Sequence, residues 1–140
     1  MNALLGLDIG DRRIGIAVST SGILANGLET YTRVSLAKDV EYIASVARLW
    51  NAGTIIAGLP SHLDGSEHEQ ATKNEVLLVK LRELGFKIEY FDERLTSSAA
   101  ECYMLEADLS RKKRKQNIDK LAAQIILQNY IDSQGNFGGL

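Results

Sequence analysis

Apolar positions along the chain switch repeatedly between the two periods that distinguish strands from helices. Ala3 to Ile9 is a short apolar run of strand length, Gly10 to Arg13 supplies turn residues, and Ile14, Ile16 and Val18 alternate through Ser19, so the segment predicts a hairpin. A third strand follows the Ser21-Gly22 turn toward Thr32, where Tyr31, Thr32 and Val34 favour extended backbone. Leu36 to Trp50 predicts a helix with Val40, Ile43, Ala44 and Ala47 on one face.

Thr54 to Leu59 is β-branched and apolar on both faces, the mark of a buried central strand, and Pro60 ends it. A helix starts near Ser66, where Glu69 completes a capping box, and stops at Gly85. Lys87 to Phe91 is the last strand. Two helices follow, one from Thr96 to Ser98 onward with a second capping box in Ser98 and Glu101, the other from about Asn117 to Ile131. The order β-β-β-α-β-α-β-α-α predicts a mixed five-stranded α/β sheet: an antiparallel opening meander, then α-linked strands, with helices on its faces.

Length adds that this is one domain, expected over residues 1–132, with a glycine-rich flexible tail over 133–140. No apolar stretch approaches the ~20 residues of a membrane span and the N-terminus lacks a secretory pattern, so a cytoplasmic protein is expected. Cys102 has no disulfide partner in a chain with one cysteine, and it reads as a structural thiol. The formal charge of −2 conceals an asymmetry: Arg111, Lys112, Lys113, Arg114 and Lys115 are consecutive, a basic strip on a mildly acidic body.

Candidate chemistry lies in acids that border apolar runs: Asp8, the pair Asp92 and Glu93, and Asp119. A carboxylate taken out of water needs a hydrogen-bond donor, a counter-charge or a metal. Leu4, Gly6 and Asp8 share one face of the first strand, so Gly6 leaves space beside the carboxylate. Strand alternation puts Asp92 and Glu93 on opposite faces and does not choose between them. Asp119 is placed in the first turn of the last helix, below Ala122 and Ala123, which allow close approach to the sheet. Singly, Asp8 also reads as a turn former, while the Asp92 and Glu93 pair reads first as a surface ion pair with Arg94 and Asp119 first as a helix-dipole partner. Together, oxygen donors from three elements suit Mg²⁺ or Mn²⁺ rather than zinc, and a pair of such ions ~4 Å apart suits phosphodiester hydrolysis. The basic strip precedes Asp119 closely enough to draw a phosphate backbone to the same place.

Other residues carry blander readings. His62 and His68 fit no ligand spacing, Trp50 and the tyrosines read as core or boundary residues, and Ser97 and Ser98 read as helix caps.

Asp8-Ile9-Gly10 with Arg13-Ile14-Gly15-Ile16-Ala17, Gly58-Leu59-Pro60 with Asp64-Gly65-Ser66, Asp92-Glu93-Arg94-Leu95-Thr96, and Ile118-Asp119-Lys120-Leu121-Ala122-Ala123 with Ile125-Ile126-Leu127-Gln128 resemble, in that order, the YqgF family of pre-16S ribosomal RNA nucleases, relatives of Holliday junction resolvases. The resemblance covers about Leu4 to Ile131. It differs at Ser61-His62-Leu63, where the family often has an asparagine-containing loop, and at Lys73, where arginine is more familiar. It implies a ribonuclease H-like fold and a hydrolase trimming the 5′ end of the 16S precursor, with Asp8, Glu93 and Asp119 as catalytic metal ligands and Mg²⁺ or Mn²⁺ as cofactor. It thereby prefers Glu93 to Asp92.

Arg12, Arg13, Arg94 and the strip from Arg111 to Lys115 would hold the nucleic-acid backbone without reading bases. The expected partner is pre-16S rRNA, met free or in a ribosomal precursor particle; monomer and homodimer both stay open. Branched DNA is the alternative substrate, since it offers the same phosphodiester. From other classes come a non-catalytic binding protein in ribosome assembly or transcription, and an actin-like ATPase, for which one 140-residue lobe is too short.

Overall fold

The computed structural model describes residues 3–59, 66–92 and 111–135, with side chains described at 3–58, 74–91 and 120–134. Five strands form one sheet: β1 (Ala3–Ile9), β2 (Arg13–Ser19), β3 (Asn26–Thr32), β4 (Ala52–Leu59) and β5 (Lys87–Asp92), in the order β3-β2-β1-β4-β5. The first three are antiparallel neighbours, whereas β4 runs parallel to β1 and β5 parallel to β4. This is the predicted mixed sheet, its parallel half reached through helical crossovers.

Helices α1 (Leu36–Leu49) and α2 (Ser66–Glu83) cover one face. Ser35 caps α1 by accepting from the Lys38 N–H, and Trp50 stands at its C-cap, partly buried against the core. The end of α2 is set by Gly85, whose φ of +104° is costly for any residue with a Cβ. Under these helices Leu5, Leu7, Ile14, Ile16, Ile43, Ile55, Leu77 and Leu81 are fully buried.

Helix α3 (Arg111–Gly135) crosses the other face over β1, β2 and β3. It begins well before Asn117 and ends after Ile131, which corrects two expectations. The basic strip lies on helix, because arginine and lysine are strong helix formers even without an apolar stripe to announce them. Ser133 to Gly135, assigned to the tail, continue the same helix. The helix expected after Thr96, together with Ser97, Ser98 and Cys102, lies outside the described residues.

Candidate active site

Alternation in β1 sends Leu5 and Leu7 under α1 and α2, and Leu4 to the cluster beneath α3. Gly6 and Asp8 share Leu4's face by the same period. Gly6 does not leave space there, as its lack of a side chain had suggested. A Cβ on it would lie 2.8 Å from Leu127 Cβ and 3.1 Å from the Ala123 carbonyl oxygen, so the glycine lets α3 rest on the backbone of β1. The position across from Asp8 on β2 is Gly15, and β4 carries Gly58 just beyond Ala57, the partner of Leu7. The residues flanking Asp8 in the sheet are thus the ones without side chains.

The direction of α3 follows from two glutamines. Gln128 Oε1 accepts the Ala25 N–H at 2.8 Å and Gln124 Oε1 accepts the Gly27 N–H at 3.0 Å. Helix numbering therefore falls as β3 ascends, and β1 ascends the same way. From the contact at Gly6, Asp8 is ~6.6 Å up the strand and position 119 is one turn, ~6 Å, up the helix from Ala123. Backbone geometry thus carries positions 8 and 119 toward the same end of the sheet. Asp119 stands in the third turn of α3 rather than its first, which removes the reading of it as a dipole-complementing cap. Position 111 lies ~12 Å further along the axis.

The carboxyl ends of β1, β4 and β5 also meet at this end, with Leu59 in register with Asp92. Phe91 packs in the α3-side cluster and Tyr90 in the opposite one. Glu93, Arg94 and His62 lie outside the described residues, as do the side chains of Asp92, His68, Lys73, Asp119 and the strip from Arg111 to Lys115. Arg12 and Arg13 are exposed on the β1–β2 turn, four and five residues after Asp8.

That turn is supported by a group of residues that gave no functional signal in the sequence. Gly10 N–H donates to the Arg13 carbonyl at 2.8 Å, and the Arg33 N–H to the Arg12 carbonyl at 2.8 Å. The Arg33 side chain donates from Nη1 to the Gly10 carbonyl at 3.0 Å and from Nε to Asp39 Oδ2 at 2.8 Å. Asp39, on α1, is 1% exposed. Its Oδ1 accepts from Tyr31 Oη and the Val34 N–H, each at 3.0 Å. Burial pushes its carboxyl upward, but the donors from Val34, Arg33 and Tyr31 outweigh that and hold it below the usual carboxylate range. From sequence, Asp39 looks like an ordinary acid in the first turn of a helix.

Comparison with known proteins gives one consistent picture. A family model described as RuvX, Holliday junction resolvase, matches residues 2–133. A protein of Caldanaerobacter subterraneus subsp. tengcongensis named "Putative pre-16S rRNA nuclease" is 44% identical over 136 residues, covering 95% of this chain and 98% of its own. One of the same name from Clostridium botulinum strain Hall is 47% identical over 132 residues, covering 93% and 96%. The fold is similar to that of T. thermophilus RuvC in complex with a Holliday junction substrate, with a TM-score of 0.62, 15% identity and 96% of both chains covered. It is also similar to the Fowlpox virus resolvase bound to Holliday junction DNA, with a TM-score of 0.61, 10% identity and coverage of 95% and 99%. The sheet is thus the ribonuclease H-like one that the motifs implied, and the chain belongs to the RuvX family.

Proposed function

We propose that the protein is a divalent-cation-dependent nuclease that trims the 5′ end of the 16S rRNA precursor, its catalytic domain running to the end of α3 at Gly135 and working in the cytoplasm on free precursor or a precursor particle. The observation that carries this reading is the contact of α3 on Gly6, from which positions 8 and 119 advance together toward one end of the sheet. Asp8, Glu93 and Asp119 are the carboxylates assigned to the cations. Phe91 belongs to the α3-side cluster, so strand alternation puts position 92, the last of β5, on the face away from Asp8. This supports Glu93 over Asp92.

The donor set fits Mg²⁺ or Mn²⁺, being all oxygen. Bound there, a pair of such cations would neutralise charge at the scissile phosphate and acidify the attacking water. The chain's own contribution is to hold the three carboxylates and the substrate in place. Arg12, Arg13, Arg94 and the Arg111 to Lys115 strip are assigned to the phosphate backbone. The strip sits in the first turns of α3, which contain no acid. Positive charge at the positive end of a helix dipole is unfavourable by itself, and a polyanion lying there relieves it.

The family description and the fold likeness to junction-bound resolvases favour a second substrate, branched DNA. One assay separates the two: purified protein with 5′-extended 16S precursor and with a four-way DNA junction, each with Mg²⁺, Mn²⁺ or chelator. Asp8→Asn, Glu93→Gln and Asp119→Asn are expected to lower cleavage at least about a hundredfold with little change in melting temperature. Cleavage that survives chelation or all three substitutions sinks the carboxylate assignment. Binding without cleavage by the wild type supports the scaffold alternative, and preferential cutting of the junction moves the substrate to DNA.

A further inference from the structure

We infer that Arg33 is a positioning residue for Asp8: its amide and guanidinium pin the Gly10 to Arg13 turn against α1 and so fix the end of the strand that carries the carboxylate. The role of Asp8 in this inference rests on the nuclease reading; the clamp itself does not. Arg33 grips the turn twice, at the Arg12 carbonyl with its N–H and at the Gly10 carbonyl with Nη1. The Nε donor is anchored on Asp39, which Tyr31 and Val34 hold in turn. Tyr31 is braced by stacking on Tyr42, with ring centroids 4.3 Å apart and planes 9° from parallel. From β1 the chain reaches Gly10 two residues after Asp8, and a Cβ at Gly10 would lie 2.9 Å from the Arg13 carbonyl oxygen.

Such a device differs from an ordinary ion pair. Arg33 is 15% exposed in its side chain and Asp39 2%, and buried pairs of this kind contribute little net stability compared with apolar packing. They do give direction. The planar guanidinium satisfies an acceptor on α1 and another on the turn at once, which a lysine ammonium at the end of a flexible stem does poorly.

The test compares Arg33→Met, Arg33→Lys and Asp39→Asn with wild type, taking Asp8→Asn as the ligand reference and Tyr42→Phe as a packing control. Amide exchange by NMR, Mn²⁺ affinity by calorimetry without substrate, and kcat and KM for RNA cleavage are read for each. Arg33→Met is expected to speed exchange at Gly10 at least about tenfold relative to Leu5, and to weaken Mn²⁺ binding about tenfold or more. Its kcat should fall by a similar factor while KM for RNA moves less than about twofold. Arg33→Lys should recover part of this, and Asp39→Asn should show the same pattern in milder form if Arg33→Met does not fold. Wild-type exchange at Gly10, or faster exchange with unchanged Mn²⁺ affinity, overturns the inference. Asp8→Asn that binds Mn²⁺ like wild type overturns the nuclease reading instead, and exchange at Gly10 then still decides whether Arg33 holds the turn.

Discussion

Beneath α1 and α2, the large side chains Leu5, Leu7, Ile14 and Ile16 meet Ile43, Leu77, Leu78 and Leu81, all buried; beneath α3, the sheet offers Gly6, Ala17 and Ile56 to Ala123, Ile126 and Leu127. The first interface gains from apolar area and tolerates small adjustments of helix position, since leucine and isoleucine can repack. The second brings backbone against backbone, and its polar contacts include glutamine side-chain carbonyls on the backbone amides of Ala25 and Gly27. One face is built for stability. The other is built for a fixed distance, and it is the one whose side of β1 Asp8 shares.

This contrast can be broken by substitution. The largest expected effect on stability is Leu81→Ala, a deletion from a fully buried site that should cost about 2–5 kcal/mol by denaturant unfolding. Cleavage per folded molecule should stay near wild type; a parallel loss of activity would mean that the two faces are not separable. Gly6→Ala should cost less, about 1–3 kcal/mol, because one methyl group must displace Leu127 or the α3 backbone. Its cleavage should nevertheless fall out of proportion to its stability, since position 119 moves with the helix. Wild-type cleavage in this variant would remove Gly6 from the account of the site.

The smallest effect belongs to Tyr42→Phe at the margin of the α1 side. The hydrogen bond that Tyr42 donates to the Glu29 carboxylate, helped by burial, pushes its phenol up to about 12. A raised pKa means that the folded state holds the proton more tightly. The contribution is therefore complete below pH about 10 and lost as pH rises toward about 12. The gap in stability between wild type and Tyr42→Phe should be of the order of 1 kcal/mol at neutral pH and close over that alkaline window. A gap that does not change with pH would show that packing, not the hydrogen bond, is what the hydroxyl contributes.

Much of the architecture was legible because most elements carry a strong period. The alternation of Ile14, Ile16 and Val18, the unbroken apolar run of β4 and the stripe of α1 each led to elements whose ends agree within two or three residues. The start of α3 was not legible, since five basic residues have helical propensity but no apolar rhythm. Gly6 was recognised as special for the wrong reason: a missing side chain can mean an opening or a contact, and only the partner surface distinguishes them. Arg33 and Asp39 were invisible because their meaning depends on β3, α1 and the β1–β2 turn coming together, and their types and spacing are ordinary. Gln124 and Gln128 add nothing to the apolar rhythm of their helix, although each meets a backbone amide at the opening of β3.

Those two glutamines have a mechanical consequence. Two residues of extended chain at the opening of β3, from Ala25 to Gly27, advance about as far as four residues of helix, from Gln124 to Gln128, ~6.6 Å against ~6 Å. The two repeats are nearly commensurate, so the amides act as detents spaced one helical turn apart. A slide of α3 by a fraction of a turn would release both catches, and the next seating that offers Gln128 to Gly27 is a whole turn away. Thermal agitation therefore meets a notched rail rather than a smooth one, and whatever α3 carries past the end of the sheet inherits that indexing.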